Sequence, residues 1–195
     1  MKNKNADGLR GLAALNVTIC HFFCAFLPTM LHYNYPGGFP GNENPSSVFI
    51  ILTSPLFSLF YNGHFAVVIF FVLSGYVLTI PYFDAPNANL SLQKRLWARY
   101  LRLNIPAAAS IALSLIVYKL GFYVNFEASE ISGSTPWHKD AIASTISATT
   151  ALTEAVYQSL ILGRRTLVPQ LWTLRIEFIG SLYLLLFYIS KPSRR

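Results

Sequence analysis

The sequence predicts an all-α, polytopic transmembrane helix bundle of about four spans, with interfacial helices between them and both termini cytoplasmic. Three observations carry this. Only 12% of the 195 residues are charged, against 53% hydrophobic and 15% aromatic, whereas a soluble domain carries about a quarter charged residues. Apolar stretches long enough to cross a bilayer recur along the chain. The cations are also asymmetric. With four spans, Lys2, Lys4, Arg10, Lys94, Arg95, Arg99, Arg102, Lys191, Arg194 and Arg195 fall on one side, and Lys119, Lys139, Arg164 and Arg165 on the other. That placement at the ends of apolar segments also accounts for the net charge of +7, and it excludes a nucleic-acid partner, which would require a basic polar face. One membrane domain over residues 1–195 is expected.

The first span is expected over residues 9–30. Its opening, Asp7-Gly-Leu-Arg10 through His21, lays an acid, a guanidinium and an imidazole along an otherwise apolar helix. Eleven steps at roughly 100° each bring Arg10 and His21 within about 20° of one face, roughly 17 Å apart along the axis. Asp7 lies one turn before Arg10 and is expected to pair with it or with a neighbouring cation. Such a stripe is costly in lipid, so it should face a cavity or protein interior and marks a functional-site hypothesis. The alternative for His21 is a structural histidine bonded across helices. Cys20 and Cys24 are the two cysteines; their spacing lacks the partners of a metal site, and buried apolar thiols are expected. With Arg10 placed after the basic start, no cleavable signal peptide is recognised, and the first helix is expected to be retained as a signal anchor.

Residues 32–46, rich in Gly and Pro and without Lys or Arg, read as a loop. Val48 to Phe60 is too short to span and contains Pro55, so an interfacial or re-entrant helix is expected. The second span, 64–81, begins at His64, read as a polar interface residue. Within it Ser74-Gly75 forms a small notch that admits a neighbouring helix. Ser74 is not read as a nucleophile, because the first Gly of a nucleophile elbow is missing. Lys94, Arg95, Arg99 and Arg102 recur at helical spacing before the third span, 103–123, and read as a positive-inside anchor. Between the third and fourth spans an amphipathic surface helix is expected over Ala141 to Leu162, with His138 a surface residue in a turn. The fourth span, 171–189, opens Trp172-Thr-Leu-Arg175-Ile-Glu177. Glu177 needs a partner in an apolar helix. Arg175, two residues away, points elsewhere, so a cation or His from another helix is expected. Of the glycosylation patterns, Asn89-Leu-Ser91 would lie on the cytoplasmic side, Asn16-Val-Thr18 inside a span, and Pro45 disqualifies Asn44.

Three ordered stretches give the chain a resemblance. Asp7-x-x-Arg10 with Arg10-x10-His21, then Phe70-Phe-Val-Leu-Ser-Gly-Tyr-Val77, then Trp172-x-Leu-x-x-Glu177 together resemble the acyltransferase-3 family of integral-membrane O-acyltransferases. The second stretch departs from the family in one respect: Ala66, Val67 and Val68 stand where an acid commonly precedes the motif. The resemblance implies that His21 and Arg10 are catalytic, that Glu177 is a functional carboxylate, and that Asp7, Ser74, Gly75 and Trp172 orient the site. It also implies that the Arg-rich segment ending at Pro106 does more than anchor. Arg99 and Arg102, one turn apart, suit the phosphates of a coenzyme A donor. Members of this family are usually longer, so the chain is expected to correspond to the N-terminal portion of such a protein.

The activity implied is transfer of an acyl group, acetyl being the plainest, from acyl-CoA to a hydroxyl of a carbohydrate, lipid or small metabolite. His21 would take the hydroxyl proton, since imidazole titrates near neutrality. Acyl-CoA would be a co-substrate, with no tightly bound cofactor and no metal. The expected partners are the donor, the hydroxyl-bearing acceptor and the bilayer of a plasma membrane or endomembrane; a second copy, in a homo-oligomer, is one way to cover the polar stripe. Two other readings stand beside this one: a non-catalytic membrane fragment of the same family, and a small proton-coupled carrier using His21, Glu177 and the arginines as a relay. The carrier reading lacks an internal repeat.

Overall fold

A computed structural model describes residues 4–84, 92–134 and 146–190 of the chain. The expectations for Asn89, Ser91 and His138 lie outside them, as do residues 141–145 of the expected surface helix and the chain ends that enter the charge asymmetry. Among the described residues the fold is all-α, without a strand. The long helices are α1 (Lys4–Phe26), α4 (Gly63–Asp84), α5 (Leu92–Lys119) and α8 (Trp172–Ser190). Between them lie short α2 (Ser47–Leu52), α3 (Pro55–Ser58), α6 (Asn125–Ser132) and α7 (Ala148–Thr153), the last running directly into a π-helical segment, Glu154–Leu162. Among the described residues four helices are long and apolar enough to cross a membrane: Lys4–Phe26, Gly63–Ile80, Gln93–Lys119 and Pro169–Phe187. They leave Leu12, Val72, Leu113 and Tyr183 largely exposed, as lipid-facing surfaces require. The chain is a multi-span membrane protein.

Local chemistry sets where these helices start and stop. α1 ends at Phe26 rather than near Met30, because Pro28 has no N–H and biases Leu27 away from helical angles (φ −137°, ψ 57°). The chain continues as a 3-10 turn, Pro28–Leu31. Pro55 likewise breaks the 48–60 stretch into α2 and α3, sitting at the start of α3 where its missing donor costs nothing. α5 begins eleven residues before the expected third span, so Lys94, Arg95, Arg99 and Arg102 lie on the same helix that would cross the membrane. It carries Pro106 internally, which a packed membrane helix tolerates, and ends in a Schellman cap. There Gly121 takes φ +76°, its N–H bonds Tyr118 O at 3.1 Å, and Phe122 N–H bonds Val117 O at 3.1 Å.

The described chain divides into two compact units. The first comprises residues 1–70 and 124–143. Its core joins Cys20 and Cys24 of α1 to Met30, Leu31 and Tyr61, with Phe23, Tyr35 and Phe49 packed around them. Both cysteines are buried free thiols. Cys20 fits only because Gly63 faces it: a Cβ there would stand 2.9 Å from the Cys20 sulfur. Tyr35 caps the start of α4 by accepting from His64 N–H at 3.2 Å, its ring edge-on to the His64 imidazole at 4.9 Å. Burial pushes the Tyr35 hydroxyl up to about 12.

The second unit comprises residues 71–123 and 144–195. In it α5, α8 and the π-helical segment pack on one another. The stretch expected as an amphipathic surface helix keeps an exposed face, with Leu152, Val156 and Ile161, and turns Glu154, Ser159 and Leu160 fully inward. Its dilution by Ser, Thr and Ala, which suggested a surface, instead allows close packing of the segment. Gly163 closes it with φ +73°, beneath the Arg175 side chain of α8.

Candidate functional site

Three helices of the second unit converge on one guanidinium. Arg99 of α5 is 8% exposed, and its Nη2 lies 2.6 Å from Glu177 Oε1 of α8, whose side chain is 17% exposed. Ser74 of α4 stands between them, accepting from Arg99 Nη2 and donating to Glu177 Oε1 at 2.8 Å. The other edge of the guanidinium is held by Ser181, which accepts from Arg99 Nε at 2.9 Å and donates to the Glu177 carbonyl at 2.6 Å. Each hydroxyl thus spends its proton on Glu177 and its lone pair on Arg99. A fixed guanidinium fork suits this geometry better than a lysine ammonium. An ion pair this buried is viable only with such added hydrogen bonds.

The helices reach this contact through their small residues. Gly75 beside Ser74 faces Leu184 of α8, where a Cβ would meet Leu184 Cδ1 at an ordinary 3.7 Å. Ser181 lies one turn after Glu177 and back-bonds its own helix, so its side chain stays on the Glu177 face.

A cavity of about 210 Å³ adjoins this network. Its walls are Val77 and Leu78 of α4, Leu185 of α8, and Arg95, Ala98, Arg99 and Arg102 of α5. Arg95, Arg99 and Arg102 follow at steps of four and three, one stripe of a helix. Arg99 is turned inward to Glu177, Arg95 is half-buried, and Arg102 is exposed. An apolar-walled concavity edged by guanidinium groups is suited to a ligand with an apolar arm and anionic groups.

The expected site residues thus fall as follows. Ser74, Arg99 and Glu177 are brought together, and Arg102 shares the cavity with Arg99. The cation expected from another helix for Glu177 is Arg99, and Arg175 points instead across Gly163. Trp172 heads α8, with 36% exposure. Arg10 and His21 belong to the first unit and share α1, both half-buried. Asp7 is exposed, and among the described residues no ion pair joins it to Arg10 or another cation. The pairing with Arg10 is therefore not formed, Lys2 lies outside the described residues, and Asp7 occupies the first turn of α1, where the helix dipole favours a carboxylate without a specific partner. Ser181 and Glu154 were not anticipated. Ser181 had a readable signal, its position one turn from Glu177 on the same face.

The sequence profile of the acyltransferase-3 family, an acyltransferase domain, matches residues 3–195. Acyltransferase R4 of Phoma sp. is similar to the chain, 26% identical over 142 residues, which cover 60% of this chain and 29% of that protein. The chain thus spans less than a third of the curated relative it matches. No solved structure matches it. With the profile covering nearly its whole length, the chain belongs to the acyltransferase-3 family.

Proposed function

We propose that the chain is the acyl-donor part of a membrane O-acyltransferase, moving an acyl group, acetyl in the simplest case, from acyl-CoA to a hydroxyl of a carbohydrate, lipid or small metabolite. The observation that carries this reading is the cavity edged by Arg95, Arg99 and Arg102 in a chain of an acyltransferase family. Arg102 and Arg95 bind donor phosphates, while Val77, Leu78 and Leu185 offer an apolar wall to the pantetheine arm. Arg99, already neutralised by Glu177, is the fixed post of the stripe rather than its main phosphate ligand. Glu177, Ser74 and Ser181 are positioning residues that act through Arg99.

In the transfer, His21 accepts the proton of the acceptor hydroxyl as the oxygen attacks the thioester carbonyl. The carbon–sulfur bond breaks, the new carbon–oxygen bond remains as the ester, and the proton passes to the departing coenzyme A sulfur. Arg10, on the same helix but three turns before His21, is too far from it to reach the same carbonyl oxygen, and its proposed part is to attract the anionic donor toward α1. In this reading the arginine-bearing start of α5 lies on the cytoplasmic side, where acyl-CoA is found, and the charge asymmetry of the sequence supports it. The test is binding of acetyl-CoA to the chain in nanodiscs. Arg102→Ala should weaken it about tenfold, by the loss of one charge-assisted contact worth about 1.4 kcal/mol. Equal affinity in Arg102→Ala and the unaltered chain would refute the donor site.

A further inference from the structure

The π-helical segment Glu154–Leu162 carries a costly arrangement of polar atoms. Glu154 is 0% exposed and Ser159 1% exposed. Among the described residues, neither Glu154 carboxylate oxygen, nor Gln158 Oε1, nor Ser159 Oγ meets a hydrogen-bond partner. The i→i+5 bonding of a π-helix stacks Ser159 one turn from Glu154, with Gln158 beside it. The three side chains therefore share one face. The Gln158 amide has its Nε2 bonded to Tyr157 Oη at 3.3 Å, which leaves its oxygen to this face. From α5, Tyr100 Oη donates to the Val156 carbonyl. One turn further along α5, Asn104 Oδ1 is a further buried oxygen without a partner.

These atoms are all oxygens, and the Ser159 hydroxyl is the one fixed donor among them. A buried carboxylate without compensation is strongly unfavourable. The cations that α5 and α8 turn into this unit have other contacts: Arg99 holds Glu177, Ser74 and Ser181, and Arg175 lies across Gly163. Oxygen ligands without nitrogen or sulfur are the chemistry of a hard cation. One carboxylate balances one positive charge, so a monovalent ion fits and a divalent ion would leave charge unbalanced. We propose that Glu154, Gln158 and Ser159, joined by Asn104 of α5, form a binding site for a hard monovalent cation of the sodium class. The site is separate from the arginine cavity and does not rest on the acyl-transfer reading. Bound there, the ion ties the π-helical segment to α5.

The test is thermal unfolding of the chain in nanodiscs, in sodium chloride against N-methyl-D-glucamine chloride at equal ionic strength. Sodium at tenfold its Kd should raise Tm by about 3–6 °C, saturably. The rise should vanish in the near-isosteric Glu154→Gln and shrink in Ser159→Ala. Binding of radioactive sodium to the unaltered chain is the second readout, and it decides the matter if Glu154→Gln does not fold. A saturable response to potassium in place of sodium also supports the site. Identical Tm values in all three salts, absence of saturable binding, or an undiminished response in folded Glu154→Gln would overturn it.

Discussion

Arg99 of α5 and Glu177 of α8 form a buried ion pair, 2.6 Å from Nη2 to Oε1, clasped by the hydroxyls of Ser74 and Ser181. The pair joins α5 to α8. Glu177→Leu or Arg99→Met should therefore destabilise the chain by about 3–5 kcal/mol, since each removes the opposite charge from a buried ion. The double variant should be less destabilised than the sum of the two singles. Thermal unfolding of all four species in one detergent gives the coupling energy.

Gly163 ends the π-helical segment with φ +73°, and a Cβ there would lie 2.7 Å from Arg175 Cδ. Gly163→Ala meets both a left-handed backbone and a clash, so a loss of about 1–3 kcal/mol is expected. Adding Arg175→Ala should recover the clash and leave the backbone cost. Full recovery in the double variant would mean that the backbone at 163 carries no strain.

Gly63 presents a contrasting case, because its backbone is not left-handed and only the sulfur of Cys20 obstructs a Cβ, at 2.9 Å. Gly63→Ala should lower Tm, and Cys20→Ala in the same chain should restore most of the loss. Additive losses would show that the contact between α1 and the start of α4 is not the cause.

Tyr35 offers a pH dependence with a definite sign. Burial raises its hydroxyl from the ordinary 10 to about 12 in the fold. The neutral phenol is thus favoured by folding. Its contribution is complete below pH 10, the unfolded value, and is lost as pH rises through about 12. Tyr35→Phe should flatten the fall of Tm across that window, and an unchanged slope would contradict the burial of this hydroxyl.

The long helices were legible because runs such as Phe65 to Ile80 have no other stable solution in a bilayer. Their ends were less so: the α1 terminus is set by the effect of Pro28 on Leu27, and the start of α5 by the fact that Lys94 to Arg102 are good helix formers as well as membrane anchors. Glu177 advertised its need for a cation, but nothing local distinguishes Arg99 from the other arginines, since the choice rests on a helix pairing 78 residues apart. The π-helical segment was not legible at all. Its polar face reads as solvated in sequence and is buried only through contacts with α5 and α8. The Asp7–Arg10 pairing failed for the opposite reason: helical spacing permits an ion pair, and an exposed pair gains too little to enforce one.

The most direct measurement is transfer of radiolabelled acetyl from acetyl-CoA in membranes containing the chain, scored as hydroxylamine-labile ester. Ester formation is expected with the unaltered chain, reduced at least a hundredfold in His21→Ala by loss of the general base. In Arg102→Ala it should recover at raised donor concentration. Ester formation that survives both substitutions unchanged would contradict acyl transfer from coenzyme A by these residues.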